Sequence, residues 1–296
     1  MENIKFKSVV LYKDETTDKS VLNLIADALG GERFIEDFQK RVDYPSGNTL
    51  ILGGYIGDEL VCMNVFMRMN FRHKNKIIHG YQSGFSATSN QYRGRGLWPQ
   101  LMKFSEAYLS ENKASFIYGF PNPVSHPVFM KKLGYESFDM HRVKILPTVL
   151  WSSGQFNMAR FEQFDRQGGV IEPVLEENIA WKQGEYGSIE FRSYRHKSSF
   201  AWGRLKFSKK LGFKLGYFEI GGVKLSSGQE LQGLLYTILR GERVLFCTIC
   251  VNERNEYLSL FKSHGLEEEP LIIKMLDDLK TEDLALNFFS GLRDTF

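Results

Sequence analysis

The chain has 296 residues, of which 43% are hydrophobic, 14% aromatic and 25% charged. This composition argues against a disordered chain, and the length predicts two domains of roughly 150 residues each. The formal net charge is only +3, and the basic residues are interspersed with acidic ones. We therefore expect neither a nucleic-acid partner nor a membrane partner.

The cysteines are too few for a disulfide framework and favour a reducing compartment. Cys62, Cys247 and Cys250 are the three present. The last two form a C-x-x-C pair, but they lie in an apolar strand-like run, where residues three apart point to opposite faces. We expect buried thiols and no metal site. The charged N-terminus has no signal-like apolar segment, and no apolar run reaches roughly 18 residues, so we expect a cytoplasmic protein.

The first half predicts a run of strands followed by alternating helices and strands. The predicted strands lie at 5–12, 48–57, 59–71, 76–88, 115–120 and 135–146. Helical spacing of apolar residues, with capping and stop signals, predicts helices at 18–31, 96–112 and 123–134. This order of elements indicates a mixed α/β fold.

The second half contains a weaker echo of the first. Residues 116–146 and 245–276 each combine an apolar strand, an asparagine, a short amphipathic segment, a glycine and another apolar strand. A repeated supersecondary unit is one explanation, and chance convergence is the alternative. Pro147 and the polar segment after it predict a link between domains. We expect one domain at 1–148, a linker at 149–170 and a second domain at 171–296.

A glycine-arginine turn stands between the predicted strand at 76–88 and the predicted helix at 96–112. Its sequence is Gln91-Tyr92-Arg93-Gly94-Arg95-Gly96. Glycines at a helix N-terminus let an anion approach unpaired backbone N–H groups, and Arg93 and Arg95 could add charge-assisted hydrogen bonds to phosphate oxygens. The alternative is a tight turn with exposed arginines. Neither phosphate-binding fingerprint fits, because G-x-x-x-x-G-K-[ST] is absent and Pro99 stands at the last glycine of G-x-G-x-x-G.

This turn resembles the Q/R-x-x-G-x-G/A acyl-CoA loop of the GNAT N-acetyltransferase superfamily. Asn122 and the helix ending "KKLGY" are similar to later parts of the family pattern. The resemblance covers residues 1 to about 146, and the second half resembles a degenerate copy without such a loop. It implies an α/β fold of two tandem GNAT-like domains, with acetyl-CoA as acyl donor. The implied binding positions are Ser86, Ala87, Thr88, Gln91, Arg93, Gly94, Arg95, Gly96, Leu97 and Asn122.

Two catalytic positions of the family are not matched. Many members carry a tyrosine four residues before the last glycine, where this chain has Met130, and some carry a glutamate on the strand at 76–88, which has no carboxylate here. His126 and Tyr81 are therefore the candidate catalytic residues, since a neutral imidazole can accept a proton and a charged one can donate it. The alternatives are a surface or capping histidine and a packed tyrosine.

Arginines cluster around a tryptophan early in the second half. Arg192, Arg195, Trp202 and Arg204 lie within 13 positions, and Trp202-Gly203-Arg204 is loosely similar to a W-R-Y segment of two-domain GNAT-like proteins of surface-polysaccharide synthesis. Such side chains could bind a sugar nucleotide by ion pairing and stacking. The alternative is a basic amphipathic helix that covers a sheet.

These features predict an acetyl-CoA-dependent N-acyltransferase that acts on the primary amine of a small molecule, and an amino sugar or sugar nucleotide is the specific expectation. One alternative is a non-catalytic acyl-CoA sensor. Another is an aminoacyl transferase of the peptidoglycan type, which uses charged tRNA and fits the weak basic character poorly. We expect a monomer or a homodimer.

Overall fold

The computed structural model describes residues 3–9, 15–31, 34–36, 38–39, 49–146, 169–175, 177, 179, 191–210, 213–261, 265–267 and 269–292. Most of the predicted linker, residues 149–168, lies outside these ranges. Within them, no helix is long and apolar enough to span a bilayer.

The strands and helices alternate as a mixed α/β protein. The strands are β1 Ile4–Val9, β2 Thr49–Ile56, β3 Glu59–His73, β4 Lys76–Thr88, β5 Phe116–Gly119, β6 Glu136–Phe138, β7 Met140–Ile145, β8 Val170–Pro173, β9 Phe191–His196, β10 Ser199–Lys210, β11 Phe213–Lys224, β12 Cys247–Asn252, β13 Gly265–Leu266, β14 Leu271–Met275 and β15 Ala285–Leu286. The α-helices are α1 Glu15–Ile25, α2 Leu97–Glu111, α3 His126–Val128 and α4 Gly228–Glu242. The π-helical turns Ala26–Gly30 and Phe129–Leu133 extend α1 and α3.

The chain divides into two compact units, each assembled from several segments. Unit 1 comprises Met1–Met69, Ile78–Glu136 and Ile272–Leu279, and unit 2 comprises Asn70–Ile77, Ser137–Leu271 and Lys280–Phe296. The predicted domains are contiguous segments. In the structure, unit 1 also includes residues 272–279, and unit 2 also includes residues 70–77.

Unit 1 is a mixed sheet with α2 packed on it. Its strands follow the order β1-β2-β3-β4-β5-β14, in which β4 and β5 are parallel and β14 is antiparallel to β5. The predicted apolar stripe of α2 is buried through Leu97, Leu101, Met102 and Leu109. These side chains join a core that includes Leu52, Phe66 and Ile117. Each buried side chain of this size contributes roughly 1.5–3 kcal/mol to folding.

Unit 2 contains a second mixed sheet in the order β13-β7-β12-β11-β10-β9, and β11 and β12 are its parallel pair. The apolar face of α4 packs on this sheet through Leu231, Leu234, Leu235 and Ile238. The expected mixed α/β fold class is therefore confirmed, with two mixed sheets.

The alternative of a basic amphipathic helix around Trp202 is wrong, because this segment forms the antiparallel strands β9 and β10. Trp202 is fully buried and contacts Phe191 edge to face. Arg192 Nη1 lies 2.7 Å from Glu242 Oε2, and Arg204 Nη2 lies 3.2 Å from Glu219 Oε2. Arg192 lies opposite Gly203, the neighbour of Trp202, so alternation along the strands places it on the other face of the sheet from the indole.

The strands at the ends of the two echoed segments belong to opposite units. The predicted strand at 135–146 is two strands, β6 and β7, and β7 pairs with β12 in unit 2. The corresponding strand of the second segment, β14, pairs with β5 in unit 1. The echo in sequence therefore corresponds to two similar parallel pairs, β4 with β5 and β11 with β12, each completed by a strand from the other half of the chain.

Candidate functional site

The turn that joins β4 to α2 has two left-handed glycines. Gly94 and Gly96 have φ of 78° and 70°, a conformation that residues with a Cβ disfavour. In the part of the chain that the structure describes, no atom beyond the adjacent residues lies within 4 Å of the Cβ position of either glycine. Glycine is therefore required here by backbone conformation, and the open side of the turn lets another molecule approach the main chain.

The N-terminus of α2 has no cap among the described side chains. The helix begins at Leu97, directly after Gly96, with no hydrogen bond from a capping side chain. In contrast, α4 is capped by Ser227, whose Oγ accepts a hydrogen bond from the Glu230 N–H at 3.3 Å. An uncapped helix start presents unsatisfied N–H groups and the positive end of the helix dipole. The start of α2 is therefore suited to bind an anion, and the start of α4 is not.

Both arginines of the turn hold the turn itself in place. Arg93 donates from Nη2 to the carbonyl of Ala28 at 2.5 Å and from Nε to the carbonyl of Thr88 at 3.3 Å. Arg95 lies over the ring of Tyr92 at 4.8 Å and donates to the carbonyl of Gln91 at 3.3 Å. The expected phosphate contacts of these arginines remain a prediction, because the structure shows them bonded to the loop's own backbone and to the end of α1.

Two carboxylates that the sequence did not single out anchor the turn. Asp27, in the π-helical turn after α1, accepts the Asn90 backbone N–H at 2.8 Å and the Asn90 amide at 2.9 Å. The hydrogen bond from the Asn90 backbone is the main cause that lowers the pKa of Asp27. Glu59, at the start of β3, accepts from Gln91 Nε2 at 2.9 Å and from the Tyr92 hydroxyl at 3.0 Å. No local sequence signal marks these partners, since they lie far away along the chain.

The parallel ladder between β4 and β5 is short. The ladder joins Gly80–Gln82 to Phe116–Tyr118, and β5 ends at Gly119 while β4 continues to Thr88. Phe85 has a positive φ of 43°, which interrupts the regular pleat of β4 in this stretch. In the described structure, Ser86–Thr88 of β4 therefore lie beyond the ladder with β5, and an extended ligand could pair with their main chain.

The predicted binding residues at the end of β4 offer mainly their backbone. The Ser86 hydroxyl donates to Oδ1 of the buried Asn64 at 2.5 Å, and Ala87 is buried. The carbonyl of Thr88 is an acceptor for Arg93. With these side chains bonded or buried, the backbone of Ser86 and Ala87 is what a ligand could bind here.

Asn122 lies after β5 and caps the turn that leads into α3. Its Oδ1 accepts the N–H groups of Val124 and Ser125 at 3.1 and 2.9 Å. The side chain therefore forms an Asx-type turn. Its side chain is exposed, and its Nδ2 atom has no hydrogen-bond partner among the described residues, so the amide can still donate to a ligand.

The two catalytic candidates occupy different elements of unit 1. Tyr81 lies on β4, one position before the last paired residue, and burial raises the pKa of its phenol while the nearby Arg68 guanidinium partly offsets this. His126 is the first residue of α3, and its backbone N–H donates to the Asn122 carbonyl at 3.0 Å. The raised pKa keeps Tyr81 a neutral proton donor at physiological pH, while the catalytic role of either residue stays a prediction.

In unit 2, residues 286–292 lie beyond the corresponding parallel ladder. The β11–β12 ladder joins Phe218–Ile220 to Cys247–Ile249. Beyond it, Val251 bridges to Phe289, and the Asn252 amide donates to the carbonyl of Leu286 at 2.9 Å. A Cβ on Gly291 would lie 2.0 Å from the carbonyl oxygen of Gly221. In unit 2, the protein's own backbone therefore packs beyond the β11–β12 ladder.

Comparison with known proteins identifies a family model that matches the first half of the chain. Residues 12–138 match the family model described as an acetyltransferase (GNAT) domain. No curated protein sequence matches the chain.

Three solved structures share the fold over 93% of this chain. A GCN5-related N-acetyltransferase from Kribbella flavida is 16% identical, with 71% of its own chain covered and a TM-score of 0.63. One from Anabaena variabilis is 11% identical, with 73% covered and a TM-score of 0.60. Eis1 from Mycobacterium abscessus is 11% identical, with 74% covered and a TM-score of 0.55. At these identities the likeness shows the fold alone, which is consistent with two tandem GNAT-like domains.

Proposed function

We propose that the GNAT acetyltransferase domain of residues 12–138 transfers the acyl group of acetyl-CoA, or of a related acyl-CoA, to the primary amine of a small molecule. One observation carries this proposal, namely the uncapped start of α2 after two left-handed glycines. The donor's diphosphate would bind the N–H groups from Gly94 to Leu97. Its pantetheine arm would pair with β4 along Ser86–Thr88, where β5 no longer does, and would accept a hydrogen bond from Asn122 Nδ2.

The proposed reaction is direct attack of the amine on the thioester. The amine nitrogen forms a bond to the carbonyl carbon, the carbon–sulfur bond breaks, and the nitrogen loses one proton. Alignment of the two reactants, and N–H groups of β4 aimed at the carbonyl oxygen, would supply most of the acceleration. We assign the neutral Tyr81 phenol as the proton donor to the departing thiolate and His126 as the acceptor of the amine's proton.

Two measurements test this function together. Calorimetry with CoA should give one site per chain, because residues 286–292 pack beyond the β11–β12 ladder of unit 2 and α4 is capped by Ser227. A thiol-release assay with acetyl-CoA and a panel of primary amines should show turnover. Tyr81→Phe should lower kcat roughly 10- to 100-fold and leave CoA affinity unchanged, since general acid catalysis typically contributes at least that factor. Absence of CoA binding to the intact protein would refute the proposal.

A non-catalytic acyl-CoA sensor is the second candidate. It is favoured by the residue types at two positions, since β4 carries no carboxylate and Met130 stands where many GNAT enzymes have a tyrosine. Binding of CoA without thiol release across the amine panel would establish the sensor and exclude the enzyme.

The proposal that the acceptor is an amino sugar or sugar nucleotide rests on the sequence similarity at 202–204 alone. In the structure Trp202 is buried and Arg204 is paired with Glu219, so neither supports a sugar site. Amino sugars and nucleotide-linked amino sugars therefore belong in the panel beside aliphatic diamines and amino acids, and preferential turnover of the sugars would support this part.

A further inference from the structure

We propose that unit 2 carries a binding site of its own for a small molecule with a phosphomonoester group. The site is a cavity of about 510 Å³ that is lined by residues of unit 2. Its walls come from the tip of the β3–β4 hairpin, from β8 and from the end of β11, and Tyr257 contributes on the remaining side. The proposal does not depend on the function assigned to residues 12–138.

The walls of this cavity are held in place by close contacts. Gly169 has φ of 82°, and a Cβ there would lie 2.9 Å from the His73 ring, so the β8 wall closes against the hairpin only with glycine. The Lys74 side chain lies along this glycine, with its Cε 3.7 Å from the same position. Tyr257 is almost fully buried, and its hydroxyl accepts the Leu225 N–H at 3.3 Å. The cavity is therefore bounded by packed backbone and ring surfaces.

The charges around the cavity are unbalanced. Three cationic side chains line it, Arg72, Lys74 and Lys224. Arg72 Nη1 lies 3.4 Å from Glu172 Oε1, which compensates one of the three. Neither lysine has an ion-pair partner within 4 Å in the part of the chain that the structure describes. Two like charges that share a partly enclosed space raise the energy of the empty site, and a bound dianion lowers it.

The other carboxylate of the cavity, Glu256, forms no ion pair with either lysine in the described part of the chain, although its charge reduces the net charge of the lining side chains to +1. Glu256 Oε1 accepts the Asn287 amide at 2.8 Å, and the Glu256 N–H donates to Asn287 Oδ1 at 3.2 Å. This reciprocal pair fixes Glu256 to the C-terminal segment.

The size and lining of the cavity indicate the rest of the ligand. Its volume lies within the roughly 300–1,000 Å³ of small-molecule sites and exceeds what a phosphate ion fills. Val170 and Leu225 add apolar surface beside the cations. A phosphomonoester would accept charge-assisted hydrogen bonds from Lys74, Lys224 and Arg72, and its organic part would lie against the apolar side.

The test uses inorganic phosphate as the probe and the full-length protein. Titration calorimetry at constant ionic strength should show phosphate binding that weakens about tenfold in the Lys74→Gln/Lys224→Gln variant, because two charge-assisted contacts are lost. Lys76→Gln is the matched control, since Lys76 lies on the same hairpin outside the cavity, and it should bind as the wild type does. Acetylation of lysines by an N-hydroxysuccinimide ester, read by mass spectrometry, should slow at Lys74 and Lys224 with phosphate present and stay constant at Lys76.

Phosphate bound at the start of α2 gives the opposite pattern. Gly96→Ala would weaken that binding, the double lysine variant would not, and the two lysines would be acetylated at the same rate with and without phosphate. That result, or the absence of phosphate binding, overturns the proposed site in unit 2. It leaves the acyltransferase proposal to be judged by CoA binding and thiol release.

Discussion

Replacing Gly96 by alanine distinguishes strain in the loop from exclusion of a ligand. Gly96 has φ of 70° and ψ of 22°, and nothing described in the structure lies within 4 Å of the position of the new methyl group. The methyl group therefore meets no protein atom, and its cost to folding is that of a left-handed alanine, about 1 kcal/mol. An anion that binds the start of α2 would, however, have to share the space of this methyl group.

Gly57 is a control residue with a similar left-handed backbone conformation, and it lies elsewhere in the chain. It lies in the turn between β2 and β3 with φ of 59°, and the described structure leaves its Cβ position equally open. Gly57→Ala should therefore lose about the same 1 kcal/mol of stability. Only Gly96→Ala should also weaken CoA binding, by tenfold or more, which corresponds to about 1.4 kcal/mol of binding free energy.

Urea unfolding of both variants measures the stability loss, and titration calorimetry with CoA measures the affinity. The two variants should have similar unfolding free energies and different dissociation constants. Equal CoA affinity in Gly96→Ala, Gly57→Ala and the wild type would refute the placement of the diphosphate at this turn. A much larger stability loss in Gly96→Ala would instead show that the open side of the loop is closed in solution.

Three further predictions follow from buried or anchoring groups. Asp27→Asn removes the charged acceptor of the Asn90 N–H, so KM for the acyl donor should rise roughly three- to tenfold with kcat retained, as steady-state kinetics would show. Burial raises the pKa of the Cys62 and Cys247 thiols to about 12, so both should resist a thiol reagent in the native state, and the unfolding free energy should fall as pH rises above about 9, where unfolded thiols ionise first. Trp202→Ala should cost about 3–5 kcal/mol in urea unfolding.

Each of these has a control and a contradicting outcome. Asp58→Asn, at an exposed acid of the β2–β3 turn, should leave KM unchanged, and an equal effect of both changes would refute anchoring by Asp27. Stability that is constant from about pH 9 to 12 would contradict the thiol assignment. Tyr236→Ala, at an exposed aromatic of α4, should cost less than about 0.5 kcal/mol, and a similar loss in Trp202→Ala would contradict its burial in the core.

The sequence predicted the parts of the candidate site that local rules control. Gly94 and Gly96 stand out because left-handed backbone favours glycine. The stripe of α2 and the strand at 76–88 follow from apolar periodicity. The anchors Asp27 and Glu59 were missed, since a hydrogen bond between residues far apart in sequence leaves no local pattern. Alternation around Trp202 was also misjudged, because a short apolar run with interspersed cations fits a helix face and a strand about equally well.

The amino-acid sequence by itself determined the mixed α/β class, the strand-turn-helix order around Gly94–Leu97 and the buried character of the cysteines, because each depends on conformational preferences or polarity within a few residues. Only the tertiary structure decided that β14 completes the sheet of unit 1 while β7 joins unit 2. It also decided that residues 286–292 pack beyond the β11–β12 ladder of unit 2. The physical reason is that an apolar strand can pair with any exposed sheet edge, and the choice among edges is made by packing of the whole chain.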